Sequence, residues 1–186
     1  MADATGAMPI KLVVPAAVGG AVAVLLGVYG SVHDPTGQGT LQFFFSSTLS
    51  LKAWFTTAAV LLAIVQVYTA ARMYGKTRLP PRDLPWWFDD LHRLSGIFAF
   101  LFSLPVAYHC LWSLGFESDA DQTRRFVHSV AGCFFYGVFA AKMLIIRAKG
   151  LPGWTLPVAG GTLFAALVLV WSTSALYFFT GRLPGL

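Results

Sequence analysis

The sequence predicts an all-α integral membrane protein of five transmembrane helices, with residues 1–186 forming a single transmembrane domain. Three observations carry that prediction. Five apolar stretches occupy most of the chain: Leu12–Tyr29, Ala53–Ala71, Leu94–Leu114, Phe126–Ile146 and Leu156–Thr180. Each is long enough to cross a hydrocarbon core about 30 Å thick at about 1.5 Å per residue. Charged residues make up only 11% of the chain, against about 25% in soluble domains. Apart from Lys142 in the fourth, those charges also lie between the stretches rather than inside them.

Taken in order, the first stretch carries Gly19, Gly20 and Gly27, and small residues let helices approach closely in lipid. It reads as a span rather than a cleaved leader. It is too long for a signal-peptide core, and Lys11 is the nearby cation. Ser31–Thr40, with His33, Asp34, Pro35, Gly37 and Gly39, reads as a loop. Leu41–Leu51, with Phe43, Phe44 and Phe45, reads as interfacial. The second span ends in Arg72–Arg82, where Gly75, Pro80 and Pro81 stop a helix. Trp86 and Trp87 belong at a membrane interface. Asp89, Asp90, His92 and Arg93 follow them, ahead of the third span. Pro105 interrupts that span four residues before His109, so a kink is expected there. Gly115–Arg125 reads as a loop, acidic and then basic. Pro152, Gly153 and Pro157 form the last turn, and the fifth span carries no charge.

Basic residues set the expected orientation. With the N-terminus inside, the inner set is Lys11, Arg72, Lys76, Arg78, Arg82, Arg93, Lys142, Arg147 and Lys149. The outer set is Lys52, Arg124, Arg125 and Arg182. Nine against four favours N-in, C-out in a bacterial-type plasma membrane. The net charge of +5 follows from this bias. The basic residues flank spans and form no nucleic-acid motif, so nucleic acid is not an expected partner. Lys76, Arg78 and Arg82 would equally suit anionic lipid heads. Cys110 and Cys133 read as two buried small apolar residues rather than a disulfide.

Ionisable side chains inside a membrane are costly and invite a functional hypothesis. His109 lies near the outer end of the third span and His128 near the outer end of the fourth. Antiparallel spans joined by a short loop would bring both imidazoles to one depth, where they could grip one metal or haem iron. A bis-histidine haem b is the natural candidate, because a helical bundle buries a large apolar macrocycle between facing side chains. Gly132, one turn beyond His128, would leave room for it, and Arg124 and Arg125 could pair with its propionates. The alternative is an imidazole that simply bonds a neighbouring helix. His33 reads as a loop histidine. His92 lies 17 residues before His109, about 25 Å along a helix. With Met143 or Met73 it could hold an inner haem, and Gly96 repeats the Gly132 pattern. Otherwise it is an interfacial histidine bonded to Asp89 or a headgroup.

The run Leu91-His92-Arg93-Leu94-Ser95-Gly96, continuing to Tyr108-His109, resembles the cytochrome b561 and ferric-reductase-like membrane cytochromes. That resemblance covers about spans two to five. It implies b-type haem between antiparallel helices and electron transfer across the bilayer. The spacing from His92 to His109 is longer than in that family, and spans two and five carry no histidine. The expectation is therefore one outer haem, with a second at His92 as an option.

The resulting functional expectation is a b-type cytochrome subunit that transfers electrons within a larger redox or respiratory complex. The chain has no Gly-x-Gly-x-x-Gly and no Cys-x-x-Cys, so partner subunits would supply the electrons, and a quinone could exchange them. One alternative is a haem-free accessory or scaffold subunit. Another is a small transporter, for which Gln66 and Ser172-Thr173-Ser174 are the relevant polar residues. An independent enzyme is not expected, because no nucleophile is paired with a base.

Overall fold

The computed structural model describes residues 7–39, 41–79 and 83–181. Thr40, Pro80, Pro81, Arg82 and Arg182, each used in the sequence reading, lie outside them. The described residues are helical with no strand: α1 Ala7–Val32, α2 Thr48–Met73, α3 Phe88–Tyr108, α4 Thr123–Arg147, α5 Thr155–Trp171 and α6 Tyr177–Thr180. Two π-helical turns extend this pattern, His109–Leu114 after α3 and Ser172–Leu176 between α5 and α6. Five helical runs are long and apolar enough to cross a membrane: Lys11–Val32, Thr48–Met73, Phe88–Leu114, Ala120–Arg147 and Thr155–Thr180.

The chain divides into two compact units. The first comprises Met1–Asp34 and Gly115–Val170, and the second Pro35–Leu114 and Trp171–Leu186. In the first unit α1 and α4 run antiparallel and cross at two glycines. A Cβ on Gly19 would lie 2.6 Å from the Gly137 carbonyl oxygen, and one on Gly137 would lie 2.5 Å from that of Gly19. Only glycine permits this approach, which puts backbone against backbone where lipid offers no hydrophobic drive to associate. Each end of the pair is tied by a hydrogen bond. Lys11 Nζ donates to the Lys149 carbonyl at 3.1 Å, and the Phe116 N–H donates to the Gly30 carbonyl at 3.1 Å. An apolar groove of about 370 Å³ lies between α4 and α5, lined by Phe126, Val130, Phe134, Ala165 and Leu169 among others.

The start of α4 differs from the expected loop. Asp119 accepts from the Asp121 N–H at 2.9 Å and begins a 3₁₀ turn, Ala120–Gln122. Arg124 and Arg125 therefore sit in the first helical turn. Two cations at a helix N-terminus oppose the macrodipole, and the Glu117 carboxylate, 4.0 Å from Arg125, offsets one of them.

In the second unit Ser47 caps α2, its hydroxyl accepting from the Ser50 N–H at 3.1 Å. α2 and α3 pack antiparallel, with Phe55 on Phe102 and Tyr68 on Phe88 as edge-to-face pairs. The last turns of the chain return to α2. Trp171 donates its indole N–H to Thr57 Oγ1 at 2.9 Å, and Trp54 meets Phe179. Lys52, placed in the outer set of cations, is 8% exposed. The third span begins six residues earlier than expected, so Asp89, Asp90, His92 and Arg93 lie on α3 itself. Two carboxylates in its first turn favour that start.

Pro105 lies inside α3, which gives way one turn later to the π-helical turn His109–Leu114, followed by Gly115 with φ +77°. Pro105 has no N–H to give the preceding turn. The turn's carbonyls find partners outside it: Trp112 accepts from the Thr36 N–H at 3.2 Å and Ser113 from the Gly37 N–H at 3.0 Å.

Candidate functional site

His109 opens the π-helical turn and is fully enclosed, with 0% of its surface exposed. Its Nε2 lies 2.7 Å from the Leu41 carbonyl oxygen and its Nδ1 3.3 Å from Ser113 Oγ. A carbonyl only accepts, so Nε2 carries the hydrogen and Ser113 donates to Nδ1. Here the ring is a bridge between the π turn and the segment that precedes α2. For Nε2 to ligate iron it would have to give up Leu41, and Nδ1 would have to take the hydrogen and donate to Ser113. A hydroxyl can serve either state.

His128 sits in the second turn of α4, half-buried, in the other unit. One turn further on, a Cβ added to Gly132 would meet nothing within 4 Å. Gly132 is nonetheless half-buried. Arg124 is half-buried one turn before His128, while Arg125 is more exposed and already faces Glu117. A propionate paired with Arg125 would compete with that carboxylate.

His92, the fifth residue of α3, is held from α2. Its Nδ1 lies 2.7 Å from Thr69 Oγ1. The Gln66 amide donates to the His92 carbonyl and, at 2.9 Å, to Ser95 Oγ. Thr69 and Ser95 are buried. Gly96 does not repeat the Gly132 pattern: a Cβ there would lie 3.1 Å from the Gln66 amide, which fills the notch. The structure thus sets a threonine against His92, and Arg93 pairs with Asp90 at 2.5 Å on the exposed side. Met73 is 44% exposed one turn beyond Thr69. Met143 belongs to the first unit and His92 to the second. His33 stacks on Tyr29, 5.2 Å between ring centroids and 9° from parallel. Cys110 and Cys133 are not joined in a disulfide; Cys133 is buried as expected, whereas Cys110 is half-buried.

Four partners escaped the sequence reading. Ser113 stands four residues after His109, and Gln66 and Thr69 share one face of α2 at a spacing of three, so those signals were present in the chain. Leu41 acts through its backbone, which no side-chain pattern reports. Among the described residues no three His, Cys, Asp or Glu side chains converge as in a classical metal cage; a bis-histidine haem requires only two imidazoles.

The fold and these residues define an all-helical protein with five potential membrane spans and imidazoles within them. The chain belongs to DUF6529, a family of unknown function whose model matches residues 12–183. No curated protein and no solved structure matches it.

Proposed function

We propose that this chain is a membrane-bound b-type cytochrome subunit that passes electrons within a larger redox complex. The observation that carries the reading is the open space at Gly132 one turn from His128. A half-buried helix face that keeps an imidazole and a side-chain-free gap on adjacent turns suits a flat macrocycle. A b-type haem would supply one-electron transfer there. His128 would be one axial ligand, Arg124 and Arg125 would pair with propionates, and the sequence reading assigns the second ligand to His109. The positive-inside bias supports an N-in, C-out placement. With no flavin or dinucleotide motif of its own, the subunit would receive electrons from partner subunits or a membrane quinone.

A second reading is a haem-free accessory subunit. It is favoured by one observation, that both ring nitrogens of His109 already have protein partners. The dithionite-reduced minus oxidised spectrum of detergent-purified protein, with haem quantified per chain, separates the two. An α-band characteristic of b haem is expected. A featureless spectrum from protein produced with ample haem would replace the first reading with the second.

A further inference from the structure

We propose that Lys52, together with the first turn of α2, forms a binding site for a phosphate group. The starting point is a buried cation with nothing to balance it. Lys52 is 8% exposed, between Leu51 at 0% and Ala53 at 3%. Its carbonyl accepts from Thr56 Oγ1 at 2.7 Å. Its ammonium has no hydrogen-bond or ion-pair partner among the described residues, where Arg93 pairs with Asp90 and Arg125 with Glu117. The topology keeps carboxylates of its own unit away. The acidic residues described in the second unit are Asp83, Asp89 and Asp90. Asp89 and Asp90 open α3, and the adjacent Phe88 packs on Tyr68. Tyr68 is 16 residues beyond Lys52 on α2, about 24 Å along the helix. A buried charge left unpaired is costly.

The site is open to a ligand and already positive. Lys52 Nζ is not among the fully enclosed polar atoms that lack a partner, so the tip of the side chain keeps access to its surroundings. Helical side chains lean toward the N-terminus, which directs the ammonium to the turn where α2 begins. There Ser47 accepts from the Ser50 N–H at 3.1 Å and, through its carbonyl, from the Leu51 N–H at 3.0 Å. The N–H groups of Thr48 and Leu49 have no acceptor among the described residues. They stand at the positive end of a 26-residue helix. Such an end receives phosphate through its N–H groups, and a lysine adds a point charge.

The setting supplies that anion. Phe43 and Phe44, ahead of α2, are 63% and 87% exposed, and Phe43 stacks on Phe55 with 6.1 Å between ring centroids. α2 is long and apolar enough to cross a membrane, and exposed phenylalanines at its start suit the boundary between headgroups and acyl chains. A phospholipid headgroup there would bring its phosphate to the first turn of α2, and a dissolved phosphate would reach it from water. The site uses neither the histidines nor Arg124 and Arg125, so it goes beyond the haem reading and does not depend on it.

The test takes full-length protein in a neutral detergent. Phosphatidylglycerol is titrated in one arm and followed by native mass spectrometry. Inorganic phosphate is titrated in the other and followed by calorimetry. If a headgroup fills the site, Lys52→Met should weaken the binding of one phosphatidylglycerol about tenfold or more, the worth of a hydrogen bond to a charged group. If free phosphate fills it, the same loss should appear in the second arm. Lys52→Arg should retain most of the affinity. Lys76→Met removes an equal charge from an exposed position and should leave that binding step unchanged. Unchanged binding of both probes in Lys52→Met, or equal losses in Lys52→Met and Lys76→Met, overturns the proposal. Should Lys52→Met fail to fold, Lys52→Gln is read by the same criteria.

Discussion

At the scale of single residues, His109 and Gly132 separate packing from cofactor binding. Replacing His109 by alanine removes a partner from the Leu41 carbonyl, on an exposed residue, and from the hydroxyl of the buried Ser113. Leaving a buried polar group unpaired costs about 1–3 kcal/mol. His109→Ala should therefore lower the melting temperature in detergent whether or not haem is present, and on the cytochrome reading it should also remove the haem. His128→Ala should abolish haem binding too, whereas His33→Ala, at the stacked pair with Tyr29, should keep it. Gly132→Leu is the sharper experiment. Its side chain enters open space, so folding should be preserved while haem per chain falls. Full haem content in Gly132→Leu would remove the observation on which the proposed function rests. Gly96→Ala should instead perturb packing, because the Gln66 amide stands 3.1 Å from the new Cβ.

At the scale of elements, the crossing of α1 and α4 rests on two backbones in contact at Gly19 and Gly137. Gly19→Val should disrupt this pair, measured as a loss of resistance to denaturation in mixed detergent micelles. The adjacent Gly20→Val should be close to neutral, because a Cβ there meets nothing within 4 Å. Equal effects from the two would mean that the crossing is not what holds the first unit together. In the second unit, the indole of Trp171 ties the end of the chain to Thr57 on α2. Trp171→Phe should cost about 0.6 kcal/mol, the average for an interhelical hydrogen bond in a membrane protein, read from the same denaturation curves. Apolarity and length alone placed all five long helical runs to within six residues at either end. Both π-helical turns went unread, although Pro105 and the Ser172-Thr173-Ser174 run marked their neighbourhoods. A single wide turn changes no side-chain type, so hydropathy does not register it.

At the scale of the whole molecule, the proposed N-in, C-out placement is open to a labelling test. Cysteines placed in the turn at residues 76–78 should be protected from a membrane-impermeant thiol reagent in intact cells, while one at Asp119 should react. The reverse pattern would invert the orientation read from the nine-to-four distribution of lysine and arginine. That distribution acts during insertion, before any tertiary contact exists, which is why a sequence can carry it.

Chain composition by itself determined that this protein is helical and built of five apolar runs, because helix length and apolarity are properties of consecutive residues. It also singled out His109 and His128, since an ionisable group in an apolar run stands out one residue at a time, and His92 at the edge of such a run. Tertiary structure alone decided which partners the rings of His92 and His109 meet. His109 meets a backbone carbonyl 68 residues away in sequence, and His92 meets a threonine 23 residues away. Tertiary structure also distinguished Gly96, filled by Gln66, from Gly132, left open. A glycine looks the same in a sequence whether a neighbouring helix fills its missing side chain or leaves the space open, and only the packing of a second element resolves the difference.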